Sequence, residues 1–409
     1  MATLAYAYKG RDATGKLVKG KLEAPTEAAI ASRLRTMGVS PIEIKESDQA
    51  TGLGREISIP GFGGKRIGLK DLAIMSRQMA TMISAGLSLL RTLTILADQT
   101  ENPKLKKVLQ TVSRDIESGV SLSDAMYKHR VDFPPIMINL VRAGETGGFL
   151  DGSLETIAKN FEAEAKLRGT IKSALTYPVI VLIMAAVAVA AMLIFIVPIF
   201  SSLFKSLGGT LPLPTQMLVY ASNFLQWAII PIIIGIIAFN IWWAKNKNTD
   251  RVRQFIDPIK LKLPVFGKLF TKIAVARFAR NFAAMIGSGV PILQALNIVG
   301  ETSGNWVMEE ALKKVSESVR QGKSIAGPLA GVKVVPSMVT QMIAVGEDSG
   351  ALEQMLTKIG DFYDDEVQST TESLTALIEP LMIAFLGIVV GGMIVCLYLP
   401  IFNIFTLIH

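Results

Sequence analysis

Residues 179–200 read VIVLIMAAVAVAAMLIFIVPIF, without a single charge. A helix rises 1.5 Å per residue, so such a run covers the ~30 Å hydrocarbon layer of a bilayer. Two further stretches share this character: residues 217–243, MLVYASNFLQWAIIPIIIGIIAFNIWW, and residues 380–402, PLMIAFLGIVVGGMIVCLYLPIF. Core helices of soluble proteins rarely stay uncharged for so long. The rest of the chain is ordinary: 50% of all residues are hydrophobic, yet 19% are charged. The pattern predicts a mainly α, polytopic membrane protein with three transmembrane helices (177–200, 217–243 and 378–403) and large soluble parts. Residues 1–50 are mixed and charged and lack the pattern of a cleavable signal peptide.

Basic segments stay on the cytoplasmic side of a membrane. The loop 201–216 holds one charge, Lys205, whereas 244–280 holds ten basic residues against Asp250 and Asp257. Lys166, Arg168 and Lys172 guard the entrance to the first span. The expected topology places the N-terminus and 244–377 inside. The loop 201–216 and the tail 404–409 lie outside, in the periplasm. Trp242 and Trp243 fall where an interfacial aromatic belt sits. The net charge of +8 then points to the lipid bilayer or an acidic protein rather than nucleic acid.

Shifted by about two hundred positions, the chain matches itself. Arg77-Gln-Met-Ala-Thr-Met-Ile-Ser-Ala-Gly86 aligns with Arg280-Asn-Phe-Ala-Ala-Met-Ile-Gly-Ser-Gly289, and Asn102 with Asn305. One residue is lost near position 130, after which Pro134 meets Pro336 and Pro178 meets Pro380. Gly144-Glu145-Thr-Gly-Gly148 then meets Gly346-Glu347-Asp-Ser-Gly350. A constant offset over so long a stretch marks a duplication. Each repeat comprises a soluble helical domain (67–176 and 244–377) and the span that follows it. Spans one and three therefore run in the same direction, and span two returns the chain. Apolar residues at helical spacing, such as Leu72, Met75, Met79 and Phe278, Phe282, Met285, predict bundles of about six short helices. Gly86 and Gly289 fall where a helix ends. Pro134-Pro135 and Pro336 suit the start of a later helix, with Gly144 and Gly346 expected to close it at positive φ.

The first 47 residues differ. Tyr6-Ala-Tyr8, Leu17–Leu22 and Ile42–Ile44 read as short strands around a Gly10–Gly15 turn, and Thr26–Met37 reads as a helix. This predicts a small N-terminal α+β module, followed by a Gly-rich flexible linker over 48–66.

Chemistry is sparsely provided for. Cys396 is the one cysteine, and His129 and His409 are the two histidines. Disulfide frameworks, Cys-based zinc sites and most Ser-His or Cys-His catalysis are therefore disfavoured. No phosphate-binding G-x-x-x-x-G-K-[ST] loop occurs; Gly61-Phe-Gly-Gly64-Lys65-Arg66 lacks its spacing. The acidic run Asp361, Asp364, Asp365, Glu366 reads as a solvated helix face, with a divalent ion or a basic partner as the alternative. The doubled Gly-Glu-x-x-Gly motif reads as a structural or interaction element: Gly144, Glu145, Gly148 and Gly346, Glu347, Gly350. In it a Glu caps neighbouring N–H groups. No catalytic residue, cofactor or metal is expected. Small residues (Ala185, Ala188, Gly387, Gly391, Gly392) would favour close packing of the spans. Pro198 and Pro400 would kink their outer ends.

Two helical repeats, each with Gly-Glu-x-x-Gly and each followed by a span, resemble the inner-membrane platform proteins of type IV pilus and type II secretion machines, the PilC/GspF family. The opening Tyr8-Lys-Gly-Arg-Asp-Ala-Thr-Gly15-Lys16 is similar as well. The resemblance implies a non-enzymatic, homo-oligomeric protein of the bacterial inner membrane. It implies partners among cytoplasmic hexameric assembly ATPases, pilins and other inner-membrane pilus components. A transporter with parallel repeats is the competing class, but the spans lack the intramembrane charges that transport uses.

Overall fold

The duplicated sequence folds as duplicated helices. The computed structural model describes residues 4–11, 17–24, 27–36, 40–46, 66–206, 211–247, 249–264 and 266–407. The chain divides into two units, 1–64 and 65–409.

In the first unit, β1 (Leu4–Arg11), β2 (Leu17–Ala24) and β3 (Ser40–Glu46) form an antiparallel sheet of order β2-β1-β3. Tyr6 pairs with Leu22 and Tyr8 with Ile44, with a register shift at Lys9/Gly10. Helix α1 (Glu27–Thr36) buries Ile30 and Leu34, one turn apart. Residues 12–16 of the expected turn, and 47–65 around the expected linker, lie outside the described residues.

In the second unit, the first repeat runs through α2 (Leu69–Ser84), α3 (Leu89–Gln99), α4 (Pro103–Glu117), α5 (Leu122–Lys128), α6 (Pro135–Gly147) and α7 (Leu150–Ala191). A single π turn (Met192–Ile196) and α8 (Val197–Ser206) complete its membrane helix. Then come α9 (Leu213–Asn246) and α10 (Asp250–Lys262). The second repeat follows as α11 (Phe266–Gly287), α12 (Ile292–Thr302), α13 (Trp306–Arg320), α14 (Ala326–Leu329), α15 (Ser337–Ser349) and α16 (Leu352–Leu407). The offset carries α3 onto α12, α4 onto α13 and α6 onto α15, residue for residue. Caps are duplicated too. The Asn102 carboxamide accepts from the Lys104 and Leu105 N–H groups at the start of α4, and Asn305 accepts from Val307 and Met308 at the start of α13.

Three helical segments are long and apolar enough to cross a membrane: Leu150–Phe204, Leu213–Asn246 and Leu352–Pro400. Two of them are more than spans. The last helix of each bundle runs on into the apolar stretch without interruption, so the expected boundaries at 177 and 378 are not breaks. A proline removes one hydrogen bond but need not end a helix that neighbours support. Pro178 and Pro380 accordingly sit inside α7 and α16. At 1.5 Å per residue the 56-residue α16 is roughly 84 Å long.

The two bundles share one hydrophobic core instead of standing apart. Leu72, Met79, Val141 and Ile157 of the first repeat belong to the same buried cluster as Phe278, Phe282, Val315 and Ile343 of the second. Phe278 and Phe282 stack at 5.8 Å in its middle. Burying each such side chain contributes about 1.5–3 kcal/mol. The glycines expected to tighten span packing do not do so within the chain: a Cβ built on Gly387, Gly391 or Gly392 meets open space.

Candidate functional site

The Gly-Glu-x-x-Gly motif builds the same clamp twice. The Glu145 carboxylate, near the end of α6, accepts from the backbone N–H of Leu122 (2.5 Å) and Ser123 (2.9 Å) at the start of α5. Glu347 accepts from Ile325 (2.6 Å) and Ala326 (2.9 Å) in the second repeat. A helix N-terminus presents unpaired donors and the positive end of its dipole. One carboxylate satisfies two of those donors and fixes the preceding helix against α6 or α15. Both oxygens are occupied, which gives each glutamate a structural task.

The glycines divide their work differently from the sequence expectation. Gly144 and Gly346 do not close their helices; each lies inside one and is buried. They are small because the next helix starts against them. A Cβ on Gly144 would come within 2.7 Å of the Ser153 Cβ and 3.0 Å of the Leu150 Cα. One on Gly346 would come within 3.0 Å of the Leu352 Cα. Gly148 and Gly350 are the closing residues, at φ 73° and 70°, a left-handed conformation that glycine adopts without strain. The motif thus packs a hairpin of two helices, the second of which becomes the membrane helix.

A charged network ties these long helices to the bundles. The Arg77 guanidinium in α2 forks onto Glu162 at 2.6 and 2.7 Å and also grips Glu155, both on α7. It holds both carboxyls below the usual carboxylate range. The counterpart Arg280 in α11 pairs with Asp364 on α16. Burial pushes the Asp364 carboxyl up despite that guanidinium. Arg277 of α11 reaches across the repeats and donates to Glu164 on α7, at 3.0 Å from Nε. Helix α11 therefore holds both long helices at once. Of the acidic run, Asp364 and Glu366 are paired inward, Glu366 with Lys272 at 2.5 Å, while Asp361 and Asp365 face solvent. Among the described residues no group of three or more His, Cys, Asp or Glu is placed to hold a metal. The basic segment 244–280 divides as well. Arg253, Lys260, Lys272, Arg277 and Arg280 are engaged by carboxylates, whereas Lys245, Lys247, Arg251, Lys262 and Lys268 are exposed.

In the apolar region the middle helix α9 takes up carbonyls that prolines leave free. Pro198 has no N–H for the Ile194 carbonyl, which accepts from the Gln226 side chain at 3.3 Å; the adjacent Leu193 carbonyl accepts from Ser222 at 2.5 Å. Pro400 likewise frees the Cys396 carbonyl, which accepts from the Thr215 hydroxyl at 2.5 Å. None of these three donors, Gln226, Thr215 and Ser222, stands out in the sequence by charge or motif. The signal was the repeated proline, whose i−4 carbonyl must find a donor.

The repeat also matches a known family. A model of the type II secretion system protein F matches residues 75–198 and again 278–400, and its N-terminal domain matches residues 1–45. The chain belongs to this family. Its similarity to members extends over nearly the full length. The chain is 43% identical over 403 residues to the type IV pilus assembly protein PilC of Myxococcus xanthus, covering 98% of this chain and 95% of that one. It is 45% identical over 400 residues to PilC of Thermus thermophilus, covering 98% of each. It is 32% identical over 400 residues to the type II secretion system protein F of Vibrio cholerae, covering 97% of each. The family members thus include proteins of both machines.

Proposed function

We propose that this chain is the inner-membrane platform of a type IV pilus assembly machine. The observation that carries this reading is the full-length similarity to pilus assembly proteins, higher than that to the secretion protein. The architecture suits the role. The bundles of 67–176 and 244–377 lie on the cytoplasmic side and offer surfaces to a hexameric assembly ATPase. The N-terminus is cytoplasmic, and the loop 201–216 and the tail 404–409 are periplasmic. The continuous α7 and α16 carry displacement of the bundles across the bilayer to where pilins leave it. The work is holding and transmitting; chemistry is left to the ATPase, and the platform acts as a homo-oligomer.

Membrane seating is supported by α10. It starts four residues after α9 ends and exposes Phe255 and Ile259, with Leu263 just past its end continuing the stripe, alongside the exposed Arg251 and Lys262. Such a helix lies in the interface, its apolar face among acyl chains and its cations at headgroups.

Deleting the protein in its host tests the assignment. Loss of surface filaments and copurification of the tagged protein with an ATPase are expected. Normal filaments with lost protein secretion would instead place the chain in a type II secretion system.

A further inference from the structure

A cleft opens where the middle membrane helix meets the second bundle. The last turn of α9, the bundle side of α10 and the connection from α12 to α13 enclose about 530 Å³. Helix α9 has no counterpart in the first repeat, so the cleft belongs to the second alone. Five charged side chains line it, and three of them are already neutralised. Arg253 pairs with Glu309 at 2.8 Å, and Lys260 with Asp257 at 2.9 Å. Asp257 also accepts from the Trp306 N–H at 3.0 Å. The other two are Lys247, at the end of α9, and Glu301, on α12. Both are exposed, and neither has a hydrogen-bond or ion-pair partner among the described residues.

The duplication accounts for the free carboxylate. The counterpart of Glu301 on α3 is Asp98, which faces Lys106 at 3.8 Å. In the second repeat Glu309 takes the place of Lys106, and it serves Arg253. Glu301 has thereby lost its cation. One cleft thus offers an unengaged ammonium and an unengaged carboxylate, which together suit a ligand carrying both charges.

Depth selects the class of ligand. Trp243 lines the α9 side of the cleft and ends the uncharged run 217–243. It stacks on Phe239, one turn further into the apolar region, at 5.9 Å. Tryptophan settles at the headgroup level of a bilayer. The cleft therefore lies level with lipid phosphates and amines, and Trp243, Val252 and Ile256 give it an apolar wall.

We infer that this cleft binds the zwitterionic headgroup of an aminophospholipid such as phosphatidylethanolamine, its phosphate at Lys247 and its ammonium at Glu301. Phosphatidylglycerol would meet Lys247 alone and be repelled by Glu301. The inference rests on the seating of α9 and α10 at the membrane interface proposed above, and adds the identity of the lipid held there.

The test uses the full chain purified in mild detergent, with bound lipid counted by native mass spectrometry. Phosphatidylethanolamine or phosphatidylglycerol with the same acyl chains is added in increasing amounts. The native chain is expected to retain the former about tenfold better, the scale of one charge-assisted hydrogen bond. Glu301→Gln should abolish that preference, and Glu301→Lys should reverse it. Lys247→Gln should weaken retention of both lipids. Both side chains are exposed, and unchanged melting temperatures verify that the variants fold. Equal retention of the two lipids by the native chain, or a preference that survives Glu301→Gln, overturns the inference. So does displacement of the lipid by an equal concentration of glycerophosphoethanolamine, which would assign the cleft to a soluble phosphodiester. Lipid retention is read without filaments, and the seating of α10 is read separately by a spin label at Phe255. A failure here is therefore distinct from a failure of the platform reading.

Discussion

The Thr215 hydroxyl donates to the Cys396 carbonyl four residues before Pro400, the carbonyl that Pro400 leaves without its helical partner. Thr215 belongs to α9, which has no counterpart in the repeat, and Cys396 to α16. Thr215→Val is expected to destabilise the detergent-solubilised chain by about 1 kcal/mol, the scale of interhelical hydrogen bonds in membranes. Thr215→Ser should retain most of the stability. In a Pro400→Ala background the restored N–H serves the carbonyl, so Thr215→Val should then cost little. Thermal unfolding of the four variants makes a double-mutant cycle, and additive effects would contradict the pairing.

Glu145 and Glu347 each accept two backbone N–H groups as carboxylates. Glu145→Ala and Glu347→Ala are expected to lower stability by about 2 kcal/mol each, the range for hydrogen bonds to charged groups. Glu→Gln should fall between, since an amide offers one acceptor oxygen. Hydrogen exchange at Leu122 and Ser123 in the first case, and at Ile325 and Ala326 in the second, should rise locally. Equal exchange across both repeats in either single variant would refute the clamp.

Gly144→Val and Gly346→Val should each cost more than about 1 kcal/mol, because the added atoms meet the first turn of the following helix. Gly144→Ala should already be felt, since its Cβ meets the Leu150 backbone. Ser153→Gly, which removes one of the two obstacles, should relieve part of the Gly144→Ala effect. Thermal unfolding decides; no rescue would mean that the crowding lies elsewhere.

Arg77 holds Glu155 and Glu162 below the ordinary carboxylate value near 4.5. Groups with lowered folded values contribute stability that is fully present above 4.5 and lost as pH falls below it into the folded range. Both carboxylates are more than a third exposed, so solvent screening keeps the contribution small. Asp364 runs the other way, its raised carboxyl favouring the fold as pH falls. The comparison of Arg77→Gln with the native chain isolates the first effect. The stability difference between them should shrink from pH 6 to pH 3, as melting curves across that range will show. A difference constant with pH would assign Arg77 a packing role alone.

Phe255 projects from the α10 stripe and is 71% exposed. A spin label there, in liposomes containing anionic lipid, should be reached by oxygen more readily than by a water-soluble relaxation agent. A label at Asp250, exposed at the start of the same helix, should show the opposite preference. The reverse order would remove α10 from the interface.

Much of this organisation was legible in the residues. The uncharged runs and the offset depend on composition and spacing, so the spans, the repeat and the capping role of the two glutamates could be read directly, whereas the matching Asn102 and Asn305 showed only as aligned residues and not as caps. The roles within the motif could not. Gly144 and Gly148 look alike in sequence, and only the approach of Leu150 and Ser153 makes one a packing glycine and the other a left-handed turn. The fused core was hidden because Asn160 and Asn281, one from each repeat, meet over a sequence distance that periodicity does not register. Helix continuity through Pro178 was hidden by the local rule that proline ends helices, which tertiary support overrides. The partners of the basic segment were hidden for the same reason as the core: Glu164 for Arg277, Glu309 for Arg253 and Asp364 for Arg280 lie far away in the chain.

The length difference between the repeats falls between the Ser123/Ala326 and Pro134/Pro336 pairs. Both flanking clamps keep nearly identical distances around it. The connection has therefore already accepted a change in residue number without disturbing either neighbour. Val131 at its tip is 90% exposed, and such exposed tips tolerate inserted sequence. An epitope or fluorescent tag placed after Val131 would mark the first repeat alone in a living cell. One placed after Gly331, also exposed, would mark the second, giving two addressable labels on a chain whose halves are otherwise hard to tell apart.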